Sequence, residues 1–380
     1  MKKVNAASRR RFLQGAGTGS AAVGALLGAP AIVRASPEIT LRFQSSWSVK
    51  DIFHEFALDF AHKVNELSAG RLKIDVLPPN SAVKTFALLN AVHKGVLDGA
   101  HGVSTYWHDR HPAFSLFGGG PGFGLTSSLF LAWMNCGDGQ RLYDELMQKE
   151  LRLNIQGYLY GPMFSQPFGW FKQPIRKLAD LKGLRFRAVG LAAEVYKELG
   201  MQPTALAGPE IIDWLDRGLI DAAEFNNPSS DRALGLPQIA SNCLMKSWHQ
   251  STEVFEVLIN KQRFSAFGPE LGGVIRNAIK AASSDVNWRS AEQMARDYEE
   301  MSRRGGVHFV KTPDDILHAQ LLAWKKIIDR ESAKNALFKQ IVASQMAFAR
   351  QVGRYALDTE PNLQSGYDFW FGGRANSTQG

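Results

Sequence analysis

The sequence predicts an α/β fold of two similar lobes. Three observations predict it: a β-α-β-α-β pattern over residues 39–107, an internal repeat near residues 90 and 213, and a helical C-terminal third. In ITLRFQSSW, Ile39, Leu41 and Phe43 alternate with polar residues at period two, the signature of a half-buried strand. HEFALDFAHKVNELSAG carries Phe56, Phe60, Val64 and Leu67 at helical spacing and stops at Gly70. RLKIDVLP reads as a second strand, TFALLNAVHKG as a helix and AHGVSTYW as a third strand. That order gives an open sheet that binds ligands beyond its strand C-termini.

The repeat pairs NAVHKGVLDGA (Asn90 to Ala100) with DWLDRGLIDAA (Asp213 to Ala223). Each is a helix ending at a glycine, Gly95 or Gly218, whose freedom at positive φ turns the chain straight into a strand. Residues just after the two repeats therefore occupy equivalent places in the two lobes. Between them, LKGLRFRAVGLAAEVYKELG reads as a strand bearing Arg185 and Arg187, with a helix starting past Gly190. No acid lies between Lys182 and Ala193, so the partner of Arg187 has to come from elsewhere. Residues 314–358 hold no proline and no glycine before Gly353, with Ile316, Leu321, Trp324 and Ile327 at roughly helical spacing.

Residues 1–35 have the layout of an export signal: a basic start, an uncharged run and small residues for cleavage after Ala35. SRRRFLQ resembles the twin-arginine signal. The run is too weakly apolar for a permanent membrane anchor. The segment holds Lys2, Lys3, Arg9, Arg10, Arg11 and Arg34 and no acid, so only +2 of the formal net charge of +8 belongs to the remainder. There Lys and Arg interleave with acids, which excludes a nucleic-acid face. Cys136 and Cys243 are too few for a disulfide scaffold, and free thiols fit a chain that folds before export. Two α/β lobes in an exported chain without a cofactor motif point to a cleft that closes around a small solute.

The stretches FQSSW, KGVLDGAHGVSTYW, HPAFSLFGGGPGFGL, QPFGWF, LADLKGLRFRAVG, RGLIDAAEFNNPSSDRALGL and SWHQSTEVFEVLINK resemble the periplasmic solute receptors of tripartite ATP-independent periplasmic (TRAP) transporters. The likeness is to the branch of 2-oxo acid receptors often labelled mannitol or chloroaromatic transport, and it runs from about Ile39 past Tyr367. It implies a two-lobed periplasmic binding protein fold with an interlobe cleft and long C-terminal helices. Lobe I would take about 38–155 plus returning segments, and lobe II about 156–250 plus helical C-terminal segments. The implied function is to bind an organic acid, a 2-oxo or 2-hydroxy monocarboxylate, and deliver it to membrane permease subunits. A homodimer through the C-terminal helix, as some 2-oxo acid receptors form, is left open.

In that family the strand arginine matching Arg187 bridges the ligand carboxylate, a role that suits its planar fork of donors. On spacing alone, an ordinary ion pair with a distant acid is as good a reading. Arg185 is expected at the surface. Gln166, Glu224 and the Phe225 carbonyl match positions that hold a bridging cation, and all are hard oxygen donors suited to Na⁺ or Ca²⁺. Gln250 stands where relatives can have an acid, and Phe225 where they often have Trp; Gln250 is included in both the ligand and the metal set. With Arg187 and Na⁺ set against Glu224 and a monocarboxylate, a neutral Gln250 balances the site, which favours Na⁺ over Ca²⁺. Tyr106 and Trp47 are placed at the cleft from the first lobe, against a core-packing alternative. Asn226 either contacts solute or serves the turn before Pro228.

Other motifs carry less. WHDRH places His108, Asp109 and His111 together without a third zinc ligand and reads as a loop. FGGGPGFG lacks the phosphate-loop pattern and reads as a hinge or crossover. The alternative function, a periplasmic hydrolase or lyase, would use WHDRH and Glu224 around a metal.

Overall fold

The computed structural model describes residues 38–372; the expected signal lies outside the described residues. Strands β1 (Ile39–Ser45), β2 (Leu72–Leu77), β3 (Gly99–Gly102), β4 (Ile155–Pro162) and β10 (Val254–Asn260) form one sheet in the order β2-β1-β3-β10-β4. Strands β5 (Gly169–Phe171), β6 (Arg185–Arg187), β7 (Gln202–Thr204), β8 (Ala222–Ala223), β9 (Asn242–Met245) and β11 (His308–Lys311) form the second, in the order β11-β9-β5-β8-β6-β7.

The repeat is a structural one. In the first sheet β1 pairs in parallel with both β2 and β3; in the second, β6 pairs in parallel with both β7 and β8. Phe43 lies opposite Gly99 as Phe186 lies opposite Ala222. Asp98 accepts the Arg42 amide at 2.8 Å, and its counterpart Asp221 accepts the Arg185 amide at 2.9 Å. The stretch Leu41-Arg42-Phe43-Gln44 is thus the counterpart of Leu184-Arg185-Phe186-Arg187. Gly95 and Gly218 have φ of 71° and 65°, as the helix-to-strand turn requires.

The third expected strand is shorter than AHGVSTYW. Its partners run out at Ser45 on one side and Glu256 on the other, and Ser104–Trp107 turn into a 3₁₀ helix. The chain crosses from β4 to β5 through residues 163–168 and returns from β9 to β10 through 246–253. The strand Ile155–Pro162 therefore belongs to the first sheet.

Three long helices follow. Gly268–Arg304 packs on Ile52–Leu67 and β4 at one end and on Pro228–Leu234 further along, so it braces both lobes. Asp314–Lys334 and Ala336–Thr359 are separated at Asn335, whose Oδ1 accepts from Phe338 N at 2.7 Å and starts the second helix. Cys136 is exposed, Cys243 buried, and both are free thiols.

One buried acid lies in the first lobe away from any opening. Glu256 on β10 is fully buried and accepts from Trp107 Nε1 at 2.7 Å and from the Tyr143 hydroxyl. Burial raises its pKa from 4.5 to about 8. An acid with a raised folded pKa stabilises fully below its unfolded value and loses that contribution as pH climbs through the folded one. Glu256→Gln is therefore expected to do little near pH 4 and to stabilise the protein by roughly 1–3 kcal/mol near pH 8. Melting temperatures whose difference does not change between those pH values would contradict it.

Candidate functional site

The site grows from the end of β6. Arg185 is exposed and pairs with Asp221, while Arg187, two residues on, is 1% exposed. Burying a guanidinium requires partners, and Arg187 has them: Nε donates to Leu206 O at 2.9 Å, and Nη1 to Glu224 O at 2.9 Å and Glu224 Oε1 at 2.8 Å. The distant acid that spacing left open for Arg187 is Glu224. Glu224 follows β8, which lies beside β6, so the pairing of the strands brings the two together.

A cavity of about 10 Å³, room for a single water, adjoins this pair. The first lobe lines it with Trp47, Phe53, Val103 and Tyr106, the second with Arg187, Val189, Phe225 and Asn226, and the returning crossing with Gln250 and Glu253. Of the predicted residues, Arg187, Tyr106, Trp47, Phe225, Asn226 and Gln250 thus meet at one place. The Arg187 guanidinium also lies over the Phe225 ring, 5.6 Å from its centroid. Gln166 and Glu224 are both buried next to it: Gln166 Nε2 donates to Glu253, and Glu224 holds Arg187. The turn chemistry weighed for Asn226 belongs to Asn227, whose Oδ1 caps the helix Pro228–Leu234. Asn226 itself donates to Glu253 Oε2 at 3.1 Å.

Glu253 is the residue that sequence reasoning missed. It accepts from Gln166, Asn226 and Gln250. Burial and the nearby Glu224 raise its pKa from 4.5 to about 8, and burial raises Glu224 to about 7 against the pull of Arg187. Glu253 adds a condition to the charge balance that favoured Na⁺: that balance stands while Glu253 is protonated and fails once it is ionised. Glu224, Glu253 and a monocarboxylate set three negative charges against Arg187. A divalent cation neutralises the remainder outright; a monovalent one does so with one carboxyl protonated. The donor set fits a cation: Gln166 Oε1 and Glu224 Oε2 are both buried and without a hydrogen-bond partner, and both are hard oxygen donors.

The lobes are closed over the cavity. Ser230 Oγ donates to Asp51 Oδ1 at 2.7 Å across the cleft, and Leu191 N donates to Ser115 Oγ at 3.1 Å. Gly190 has φ 62°, and a Cβ there would lie 2.1 Å from Thr105 Oγ1, so the lip tolerates no side chain. The glycine-rich loop 118–124 backs the returning crossing: Ser251 Oγ donates to Pro121 O, and a Cβ on Gly119 would strike Gln250. A larger groove of about 740 Å³ crosses the outside of both crossings, with Met163, Phe164, Met245 and Trp248 in its walls; Lys246 is the one charged residue lining it. His108, Asp109 and His111 do not line the cavity. His111 Nδ1 accepts from Ala113 N and its Nε2 meets Asn335 Nδ2, so its ring is engaged in packing.

A model of "Bacterial extracellular solute-binding protein, family 7" matches residues 43–335. The monocarboxylate 2-oxoacid-binding periplasmic protein of Nostoc sp. is 30% identical over 83% of this chain and 85% of its own length. A TRAP transporter solute-binding protein of Bordetella bronchiseptica superposes with TM-score 0.83 at 25% identity, over 89% of this chain and 99% of that one. It is a dimer of mixed occupancy, with copurified calcium and picolinate in one active site and the other apo. A TRAP periplasmic solute-binding protein of Pseudoalteromonas atlantica, with bound sodium and pyruvate, gives TM-score 0.81 at 25% identity, over 88% and 99%. With its repeat, its closed cleft and these likenesses, the chain belongs to bacterial extracellular solute-binding protein family 7, the receptors of TRAP transporters.

Proposed function

We propose that this chain is a periplasmic receptor that binds a short 2-oxo or 2-hydroxy monocarboxylate in the cleft and hands it to the membrane permease subunits of a TRAP transporter. The observation that carries this reading is the buried Arg187. Its three hydrogen bonds use Nε and Nη1, which leaves Nη2 for an anion; the closed cavity that Arg187 lines has room for about one water, so the lobes part to admit the solute. The relatives' 2-oxo acid, pyruvate and picolinate ligands point the same way. Mass spectrometry of small molecules released from the purified protein tests it, with a monocarboxylate expected and a neutral sugar or a peptide counting against it.

A cation, Ca²⁺ or Na⁺, would be held by Gln166, Glu224, the Phe225 carbonyl and Glu253, where it neutralises the carboxylates and bridges protein to solute. Gln250, proposed from the sequence for both sets, takes the lesser part of supporting Glu253. The chain acts as a receptor and not an enzyme: incubation with a bound acid should return the acid unchanged, and product formation would reverse this. Residues 38–162 with 254–267 form the first lobe and 169–245 with 308–311 the second. Export would follow the twin-arginine route, so changing Arg9 and Arg10 to Lys should leave the protein in the cytoplasm.

A second copy of the chain is the proposed partner of the C-terminal helix Leu363–Phe371. None of its residues is buried, although Leu363, Tyr367, Phe369, Trp370 and Phe371 are all large and apolar. The full-length protein should be a dimer by light scattering and become monomeric when truncated before Leu363. A monomer before truncation would refute the interface.

A further inference from the structure

The two lobes line the cavity with different chemistry. The second lobe brings Arg187, paired behind the cavity wall with Glu224; the first brings Trp47, Phe53 and Val103, with Tyr106 its only polar lining side chain among the described residues. Strand register explains the split. His101, opposite Ser45 and next after Ala100, is the counterpart of Glu224, which follows Ala223. Gln44 is the counterpart of Arg187, and its amide is consumed by Val83 O, Ala82 N and Val83 N. Where the second lobe pairs a carboxylate with a guanidinium, the first has a neutral imidazole that serves an indole.

Trp47 Nε1 donates to His101 Nδ1 at 2.8 Å, and His101 Nε2 lies 2.6 Å from the Tyr160 hydroxyl. An indole N–H only donates, so Nδ1 accepts and Nε2 carries the proton that goes to Tyr160. Burial keeps this imidazole neutral, with a pKa lowered from 6.5 to about 3. His101 stacks on Phe255 at 5.3 Å, and Trp47 stands edge-on to Phe53 at 5.1 Å and to Phe255 at 5.9 Å. The indole is held at its polar edge by His101 and by perpendicular contacts with Phe53 and Phe255. Its N–H is spent, so the wall it offers the cavity is apolar. The Phe225 ring under Arg187 lies 6.4 Å from Phe53, which in turn lies 5.1 Å from Trp47, so Trp47 and Arg187 line one cavity joined by aromatic contacts.

We infer that Trp47 determines solute specificity, with His101 and Tyr160 as its positioning residues, and that the cleft takes 2-oxo monocarboxylates with a short, unsubstituted alkyl tail. The inference rests on the reading of Arg187 as the carboxylate anchor. A longer or branched tail meets a wall that cannot yield without breaking the Trp47–His101–Tyr160 relay. A tail hydroxyl is buried against that wall without a partner.

The test is calorimetry on the signal-free protein with pyruvate, 2-oxobutanoate, 2-oxoisovalerate and hydroxypyruvate, at fixed Na⁺ and Ca²⁺. The wild type is expected to favour pyruvate over 2-oxoisovalerate and over hydroxypyruvate by about 10-fold or more. Trp47→Val should erase or invert the preference against 2-oxoisovalerate, and Trp47→Phe, the milder change, should move it the same way. His101→Phe should lower the ratio while pyruvate still binds, whereas His101→Gln, which keeps an acceptor, should retain more of it. A general loss of packing would weaken all four acids together. Parallel changes across the four acids in folded Trp47 variants, or a wild type that prefers hydroxypyruvate, overturn the inference and leave the carboxylate reading standing. A wild type that binds none of the four acids overturns both.

Discussion

An Arg187→Ala protein is expected to bind its carboxylate solute about 2–5 kcal/mol more weakly, roughly 30- to 5000-fold. The structure adds a second expected effect. Arg187 and Glu224 are each 1% exposed, so removing the guanidinium leaves a buried carboxylate without its counter-charge. Breaking such a pair costs about 3–5 kcal/mol when the remaining charge stays ionised. Glu224 already titrates near 7 with Arg187 beside it, and without Arg187 it moves higher. The variant should therefore be most destabilised above neutral pH and least below it, where Glu224 holds a proton. Arg187→Lys keeps the charge but not the fork that reaches both Leu206 O and Glu224, and should recover stability more than affinity. Arg185→Ala removes only the exposed pair with Asp221, worth about 0–1 kcal/mol. A folded Arg187→Ala protein with near-normal affinity, measured by calorimetry at pH 7, would remove Arg187 from the site.

The architecture was legible wherever a local period carries it. Gly95 and Gly218 end their helices as the repeat predicts, and the strand with Arg185 and Arg187 runs where alternation puts it. The same repeat held more than was read from it. The shared Leu-Arg-Phe at 41–43 and 184–186, with Asp98 and Asp221 bonding equivalent amides, fixes which residues of the two lobes correspond. That register makes His101 the counterpart of Glu224. Three things were not legible. The partner of Arg187 is the residue just after β8, 37 positions along the chain, and proximity in sequence says nothing about a neighbouring strand. The longest helix, Gly268–Arg304, starts with Gly268, Pro269, Gly272 and Gly273, residues that mask a helical pattern until Ile275, Ala278, Ile279 and Ala282 are seen to face one side. Glu253 was hidden because it sits on a crossing with no period of its own. Its signal was the pair of acids in TEVFEVLIN, an otherwise apolar run; one of them, Glu256, is held inside the first lobe, and the other reaches the cavity.

Glu253 also decides how the proposed cation should behave. If a cation bridges protein and solute, each strengthens the other's binding equally, because coupling between two sites is reciprocal. Solute affinity should then rise about 5- to 150-fold on adding the cation at constant ionic strength, with a bulky organic cation as the control. Gln166 Oε1 and Glu224 Oε2, buried beside the cavity and without partners, are the atoms that gain most, so Glu224→Gln should flatten the dependence for either ion. The two ions part company at Glu253. Its raised pKa of about 8 means that the ligand-free carboxyl holds a proton at neutral pH. Ca²⁺ needs that carboxyl ionised to neutralise the site, so Ca²⁺ binding should release a proton and its effect on affinity should grow as pH rises toward 8. Na⁺ balances the site with the Glu253 proton retained, and its effect should change less over the same range, following Glu224 alone. Glu253→Gln imitates the protonated form, and should weaken the pH dependence, leaving the part that Glu224 contributes near 7, and cut the Ca²⁺ effect more than the Na⁺ effect. Phe225→Trp should leave both intact, since only the main-chain carbonyl is assigned to the ion. Calorimetry after exhaustive chelation and dialysis, showing an affinity indifferent to both ions, would mean that Glu224 and Glu253 neutralise the solute through protons alone and that no cation takes part.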